Sequence, residues 1–274
     1  SATFFKVILT DSNSSQLAYL NELEASFNYN IIFSEDLKPN SLTILNSTLI
    51  ITRNLEGNFS VELSEKREKP ETTTYSEVVE LLDWFENLLR KEQLKNLNVI
   101  SAKDSKLAFV DHKSGKTLWF KDGEFLLENE DDRLSAQFSA KLLYGDDFKA
   151  AGLVKMVKMH GEKQVSISAN IENIKIDEFA KQFPKASFLS SLRLPASLAT
   201  TATLLDDGTI EGLQGVFETS SGEVYFPKSL QKIFVNEAKI YFEYNRRFGR
   251  IDVKQLSIDT EYGSSLATGR IYPT

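Results

Sequence analysis

Asp104-Ser-Lys-Leu-Ala-Phe-Val-Asp-His-Lys-Ser-Gly-Lys-Thr-Leu-Trp-Phe120 is the stretch whose reading decides the fold class. Two runs of β-forming residues flank a polar turn that ends at Gly115, the pattern of a β-hairpin. The grammar recurs in Ser47-Thr-Leu-Ile-Ile-Thr-Arg-Asn-Leu-Glu-Gly-Asn-Phe-Ser-Val61, where Gly57 follows Leu49 at the distance that separates Gly115 from Leu107. Ala238-Lys-Ile-Tyr-Phe-Glu-Tyr-Asn-Arg-Arg-Phe-Gly-Arg-Ile-Asp-Val253 has the same shape with one residue more. Successive strand residues point to opposite faces, so Leu49/Ile51, Leu107/Phe109 and Ile240/Phe242 each put apolar groups on one face of a first strand. A second alternation begins after the glycine at Phe59/Val61, Leu118/Phe120 and Ile251/Val253.

Working outward, Leu134, Phe138 and Leu142 alternate with Ser135, Gln137 and Ser139, and Val165, Ile167 and Ile171 alternate with Ser166, Ser168 and Asn170. Such regularity marks antiparallel strands with one apolar and one wet face. Further strands are expected around 192–204, 210–219, 223–226, 234–244, 250–260 and 265–272, with a turn at Asp206-Asp-Gly208. One helix is clear, at about 74–92. Thr74 and Glu77 form a capping-box pattern, and Val78, Leu81, Leu82, Phe85, Leu88 and Leu89 make one apolar stripe. The stripe is expected to pack onto the protein's own sheet. A second short helix is expected at Asp177–Phe183, stopped by Pro184. Residues 1–42 read as a strand at Phe4–Leu9 and a short helix capped by Ser14 or Ser15, without a clear place in the whole. The rest, 43–274, reads as one elongated antiparallel β domain with a helical insertion at about 72–96. So many amphipathic strands with so few helices imply a mainly β fold. Either one long antiparallel sheet curves into an apolar groove, or two sheets close as a sandwich.

Composition narrows the function. The 274 residues carry a formal charge of −7, which argues against nucleic acid and against electrostatic attachment to anionic membranes, since both need clustered Lys and Arg. Cysteine is absent, which removes disulfides, thiol chemistry and Cys-based zinc sites. His112 and His160 are the only imidazoles and both read as solvated turn residues. The carboxylate pairs Asp131-Asp132, Asp146-Asp147 and Asp206-Asp207 sit in turn-like settings, where Asp is favoured for its local hydrogen bonding. No nucleophile elbow, P-loop or dinucleotide fingerprint occurs. The expectation is a non-enzymatic protein without metal or cofactor.

The order of hairpins and long amphipathic strands resembles the AsmA-like proteins of bacterial envelopes, particularly the large subgroup that includes TamB and YhdP. The likeness rests on Asn46–Val61, on Leu97–Trp119 and on Leu256-Ser-Ile-Asp-Thr-Glu-Tyr-Gly-Ser-Ser-Leu-Ala-Thr-Gly-Arg-Ile271, and covers roughly 43–274. The resemblance implies a groove that carries phospholipid between the inner and outer membranes and no catalytic residues. It also implies a periplasmic location, with an inner-membrane anchor in a segment not present in this chain. The residues expected to line the lipid-binding face are Phe109, Leu134, Phe138, Leu142, Val165, Ile167, Ile171, Ile240, Phe242, Ile251 and Val253, each in the apolar register of its strand. The alternative is a periplasmic scaffold or assembly factor that binds outer-membrane or other envelope proteins rather than lipid. A glycan-binding β-protein would want exposed Trp, and only Trp84 and Trp119 exist.

Overall fold

The computed structural model describes residues 1–10, 16–27, 38–55, 59–63, 78–90, 94–112, 115–144, 147–182, 189–207, 209–226 and 231–272. The expected strand at the start is β1 (Ala2–Thr10), and it pairs antiparallel with β2 (Gln16–Ser26). The short helix expected after Ser14 or Ser15 is therefore replaced by a strand. Its capping serines lie outside the described residues. Leu17 and Leu20 suit a helical spacing, but Gln16–Ala25 pairs with β1, and Glu22–Ser26 pairs on the other side with β3 (Ser41–Leu45). Tertiary pairing overrides a short local pattern of this kind. Residues 1–42 thus supply the first strands of the main sheet.

Next along the chain come β4 (Thr48–Arg53), β5 (Phe59–Leu63), α1 (Val78–Leu89) and β6 (Val99–Asp111). The hairpin of β4 and β5 matches Ile51 with Val61, but both β3 and β4 run parallel to β6. The sheet is mixed at this point rather than wholly antiparallel. Parallel neighbours cannot be joined by a tight hairpin, and here β5 and α1 intervene in the chain between β4 and β6. The Thr74/Glu77 capping box lies outside the described residues.

From β6 onward the sheet is antiparallel and follows chain order. It runs through β7 (Lys116–Asn129), β8 (Arg133–Tyr144), β9 (Asp147–Met159) and β10 (Val165–Lys175). The helix α2 (Ile176–Gln182) follows, in the place expected for the second helix. Beyond it, β11 (Leu192–Arg193) and β12 (Pro195–Leu204) form one interrupted strand, and β13 (Ile210–Thr219) and β14 (Gly222–Phe226) form another. Both β13 and β14 pair with β15 (Gln231–Asn245), which turns through Arg246–Phe248 into β16 (Arg250–Thr260) and β17 (Gly263–Ile271). Every described strand belongs to this one long curved sheet, which is not closed into a barrel, so the sandwich alternative is set aside.

Curvature has a local cause. Asn46, Asp104, Asp122 and Asn173 adopt left-handed backbone angles, φ between +49° and +58°. Asp104, Asp122 and Asn173 coincide with shifts of register in β6, β7 and β10, and Asn46 marks the break between β3 and β4. Asn and Asp tolerate this conformation better than other side chains, and the extra residue of a bulge bends and twists its strand. Three of these breaks lie side by side. Asn46 N–H donates to the Lys103 carbonyl at 3.3 Å, and Ser105 sits opposite Gly123. A Cβ on Gly123 would come within 2.9 Å of the Ser105 carbonyl oxygen, so the two bent strands approach each other too closely for any larger residue. Asp122 is held by Lys141 Nζ at 2.9 Å.

The core has two parts, one at each end of the strands. At one end Leu82 and Leu89 of α1 pack with Leu97, Leu127, Leu134, Ala136 and Val165. At the other, Ile176 packs with Leu194, Ala196 and Val235 beside α2. Both clusters lie on the same face of the sheet.

Candidate functional site: the apolar face of the sheet

The register assembles that face residue by residue. Phe138 of β8 lies opposite Phe125 of β7 and Val154 of β9, and Val154 lies opposite Ala169 of β10. Ile171 pairs with Leu198, Leu198 with Phe217, Phe217 with Ile240 and Ile240 with Leu256. Residues directly opposite in a sheet share a face, so this row crosses the sheet from β7 to β16. All eleven expected residues belong to it. Leu142 connects through Phe120 and the β6–β7 pairs to Phe109, and Phe242 connects to Val253 and Tyr244 to Ile251.

Burial of the eleven is graded. Leu134, Leu142 and Val165 are buried, whereas Phe109, Phe138, Ile167, Ile171, Ile240, Phe242, Ile251 and Val253 are half-buried. A dry core would bury them all, so the graded pattern describes an apolar face sheltered beside α1 and α2 and more open away from them. Small residues occur along it. Ala140, itself buried, lies opposite Gly152, and Gly152 opposite Ile171, both half-buried. A Cβ placed at Gly152 would meet no atom within 4 Å, whereas one at Gly215 would come 2.6 Å from the Phe242 ring. Phe242 therefore lies flat across β13, and the space above β9 is open. The opposite face is polar. Ser166 and Ser168 are exposed, and a hollow there is lined by Lys155, Thr201, Gln214 and Glu243 among others. Ser135 departs from the expectation that it faces water. It is buried, and Gln137, Ser139 and Asn170 are half-buried.

The helix stripe packs as its spacing predicts. Leu82 and Leu89 are buried, and the Phe85 ring lies 6.4 Å from that of Phe125. Sequence reading missed the polar latch that accompanies this packing. Lys158 occupies an apolar register position on β9, opposite Leu134 and Val165, and is only 7% exposed. Its ammonium donates to Glu86 Oε2 at 2.7 Å and to Asp83 Oδ1, both on α1. Glu86, equally buried, also pairs with Arg90 and lies 3.2 Å from His160 Nδ1. His160 Nε2 lies 2.9 Å from the Glu130 carbonyl oxygen, so His160 is a half-buried bridge between α1 and the β7–β8 turn rather than a solvated turn residue. His112 is exposed in its turn, as expected. Burial pushes the Glu86 carboxyl up, but the hydrogen bond and charge of Lys158, with Arg90 and His160, outweigh it and hold the group below 4.5. Burial likewise pushes Lys158 down, and Asp83 and Glu86 outweigh it and hold the ammonium above its ordinary value. The signal in the sequence was the lysine itself, placed where the alternation of β9 calls for an apolar residue.

Asp207 Oδ1 accepts the Thr209 backbone N–H at 2.8 Å, the turn role anticipated for that pair, while Asp146 lies outside the described residues. Among the described residues no three His, Asp or Glu side chains converge as a metal site, and no helix is long and apolar enough to cross a membrane. Trp119 is exposed on the polar face. No family model, curated protein or solved structure matches the chain.

Proposed function

We propose that this chain is a non-enzymatic lipid-binding module that holds phospholipid acyl chains along the apolar face. The observation that carries the reading is the half-buried part of that face away from α1 and α2, with open space over Gly152. Each CH₂ taken out of water gains about 0.8 kcal/mol, so a chain of ~16 carbons lying there would bind appreciably even if only partly sheltered. The polar strand face would stay in water while the headgroup remained wet. Placement in a bacterial envelope, as a bridge between inner and outer membranes, follows from the resemblance to the AsmA-like proteins.

The test uses Gly152→Leu and Phe138→Asp. Gly152→Leu fills the open space without a clash, so melting should be unchanged while uptake of a fluorescent phospholipid falls. Phe138→Asp should lower uptake as well, since a carboxylate would replace an apolar wall. Wild-type protein that takes up no lipid, or Gly152→Leu protein that takes up lipid at the wild-type level, would overturn the reading.

A second reading, a scaffold for envelope proteins, has one observation in its favour. Every residue of β17 is exposed, and its outer edge pairs with no described strand, so an incoming strand could add there. Retention of an extended outer-membrane-protein segment by lipid-free protein would favour this second reading.

A further inference from the structure

We propose that the hairpin end at Arg246–Arg250, with the adjoining end of β17, docks on a bilayer surface carrying anionic phospholipid. The chain as a whole is acidic, yet four of its nine arginines, Arg246, Arg247, Arg250 and Arg270, converge here. Register brings them together. Arg250 opens β16 directly after the turn, and Arg270 lies opposite Asp252. Asp252 accepts Arg250 Nε at 2.8 Å and lies 3.9 Å from Arg270. Asp207, bonded first to Thr209, is near enough to Arg246 for the guanidinium to help hold its carboxyl low. Lys254 is already matched by Glu243 at 2.8 Å. Glu211 of β13 is the next carboxylate and is already hydrogen-bonded by Gln164. With Asp252 and Asp207 it makes three carboxylates against four guanidiniums, which leaves this end positive in a chain whose total charge is −7.

An aromatic group completes the surface. Phe248 is 55% exposed, with the guanidinium of Arg247 5.4 Å and that of Arg250 4.6 Å from its ring centre. Gly249, at φ +58°, allows the tight turn that holds it there. Ile271 and Tyr272 are also exposed beside it. Rings and aliphatic groups flanked by arginines suit the membrane interface, where the apolar part sinks to the headgroup level and the guanidiniums meet phosphates. The apolar face runs out at this same end, at Tyr244, Ile251 and Ile271, so a docked tip would set one end of that face against the bilayer. Docking does not depend on the lipid-holding reading, because binding to a bilayer is measured whether or not a lipid leaves it.

The full chain is tested by flotation with phosphatidylcholine vesicles, with and without phosphatidylglycerol. Binding should need phosphatidylglycerol and weaken with salt. Each arginine near an anionic surface is worth roughly a fivefold change in partitioning. The doubly substituted R246E/R247E protein should therefore lose at least about 25-fold, with circular dichroism unchanged because both side chains are exposed. Phe248→Ser should lower partitioning while keeping its salt dependence. Equal binding to both vesicles, no binding to either, or full binding by R246E/R247E would overturn the proposal. So would capture by immobilised polyglutamate of protein that ignores vesicles, which would assign the arginines to an acidic polypeptide.

Discussion

Replacing Lys158 with Met tests whether the latch or the apolar stripe fixes α1. The substitution keeps the volume and apolar stem of the lysine but removes the donor to Asp83 and Glu86. Removing one partner of a fully buried ion pair costs about 3–5 kcal/mol, because the other charge is left without compensation. Two features reduce that here. Asp83 is about half exposed and can be solvated, and Glu86 keeps Arg90 and His160. The expected cost is therefore about 2–3 kcal/mol, equivalent to a fall in melting temperature of roughly 4–12 °C for a chain of this size. The second arm is Lys158→Met with Glu86→Leu. Apolar residues of similar volume often replace a buried pair at little cost, so the double variant should recover most of the loss. Calorimetry of wild type, both singles and the double gives the coupling energy, and hydrogen exchange of the α1 amides shows whether the loss is local to the helix. A neutral Lys158→Met, or a double variant no more stable than that single, would refute the assignment and leave α1 held by Leu82, Phe85 and Leu89 alone.

The remaining expectations are narrower. Gly215→Val would drive a side chain into the Phe242 ring, at 2.6 Å, and the Ala199 carbonyl oxygen, at 2.8 Å. It should cost about 1–3 kcal/mol by chemical denaturation, against no loss for Gly152→Leu. For pH, Glu86 has its folded value held below 4.5, so its contribution is fully present above 4.5 and is lost as the pH falls through that lower value. Lys158 has its folded value raised above 10.5, so its contribution is present below 10.5 and disappears as the pH rises beyond that. Melting curves should therefore show an acid loss below 4.5 that is smaller in Glu86→Leu than in wild type. Equal acid losses in the two proteins would show that other carboxylates govern it.

Much of this architecture was legible because strand alternation is a direct record of which side of a sheet is wet. The three hairpins, the strands after 190 and the apolar set from Phe109 to Val253 all follow from that period. Three things were hidden. β2 carries a short apolar spacing that fits a helix as well as a strand, and only its pairing with β1 and β3 decides between them. The parallel contacts of β6 arise because β5 and α1 intervene between it and β4, and nothing in the strand itself records the direction of its neighbour. The arginine cluster combines Arg246, Arg247 and Arg250 with Arg270, which joins them only through the β16–β17 register, so net charge alone argued against any anionic surface.

The bulges show how the chain keeps one face apolar while it bends. On β6 the apolar positions are Ile100 and Ala102, then Leu107 and Phe109, an even phase followed by an odd one. On β7 the phase flips the same way along the chain, from Leu118 and Phe120 to Phe125 and Leu127. In a regular strand either flip would send half the apolar set to the polar face. Each flip instead coincides with a left-handed Asp, at Asp104 and Asp122, where one extra residue restores the facing. A second register shift, between Phe242 and Tyr241 on β15, lets Val253 and Leu256 of β16 share a face across Lys254 and Gln255. On β6 and β7 a phase flip beside a left-handed Asp is thus the sequence mark of a bend, and bending at these points curves the sheet without breaking the continuity of its apolar face.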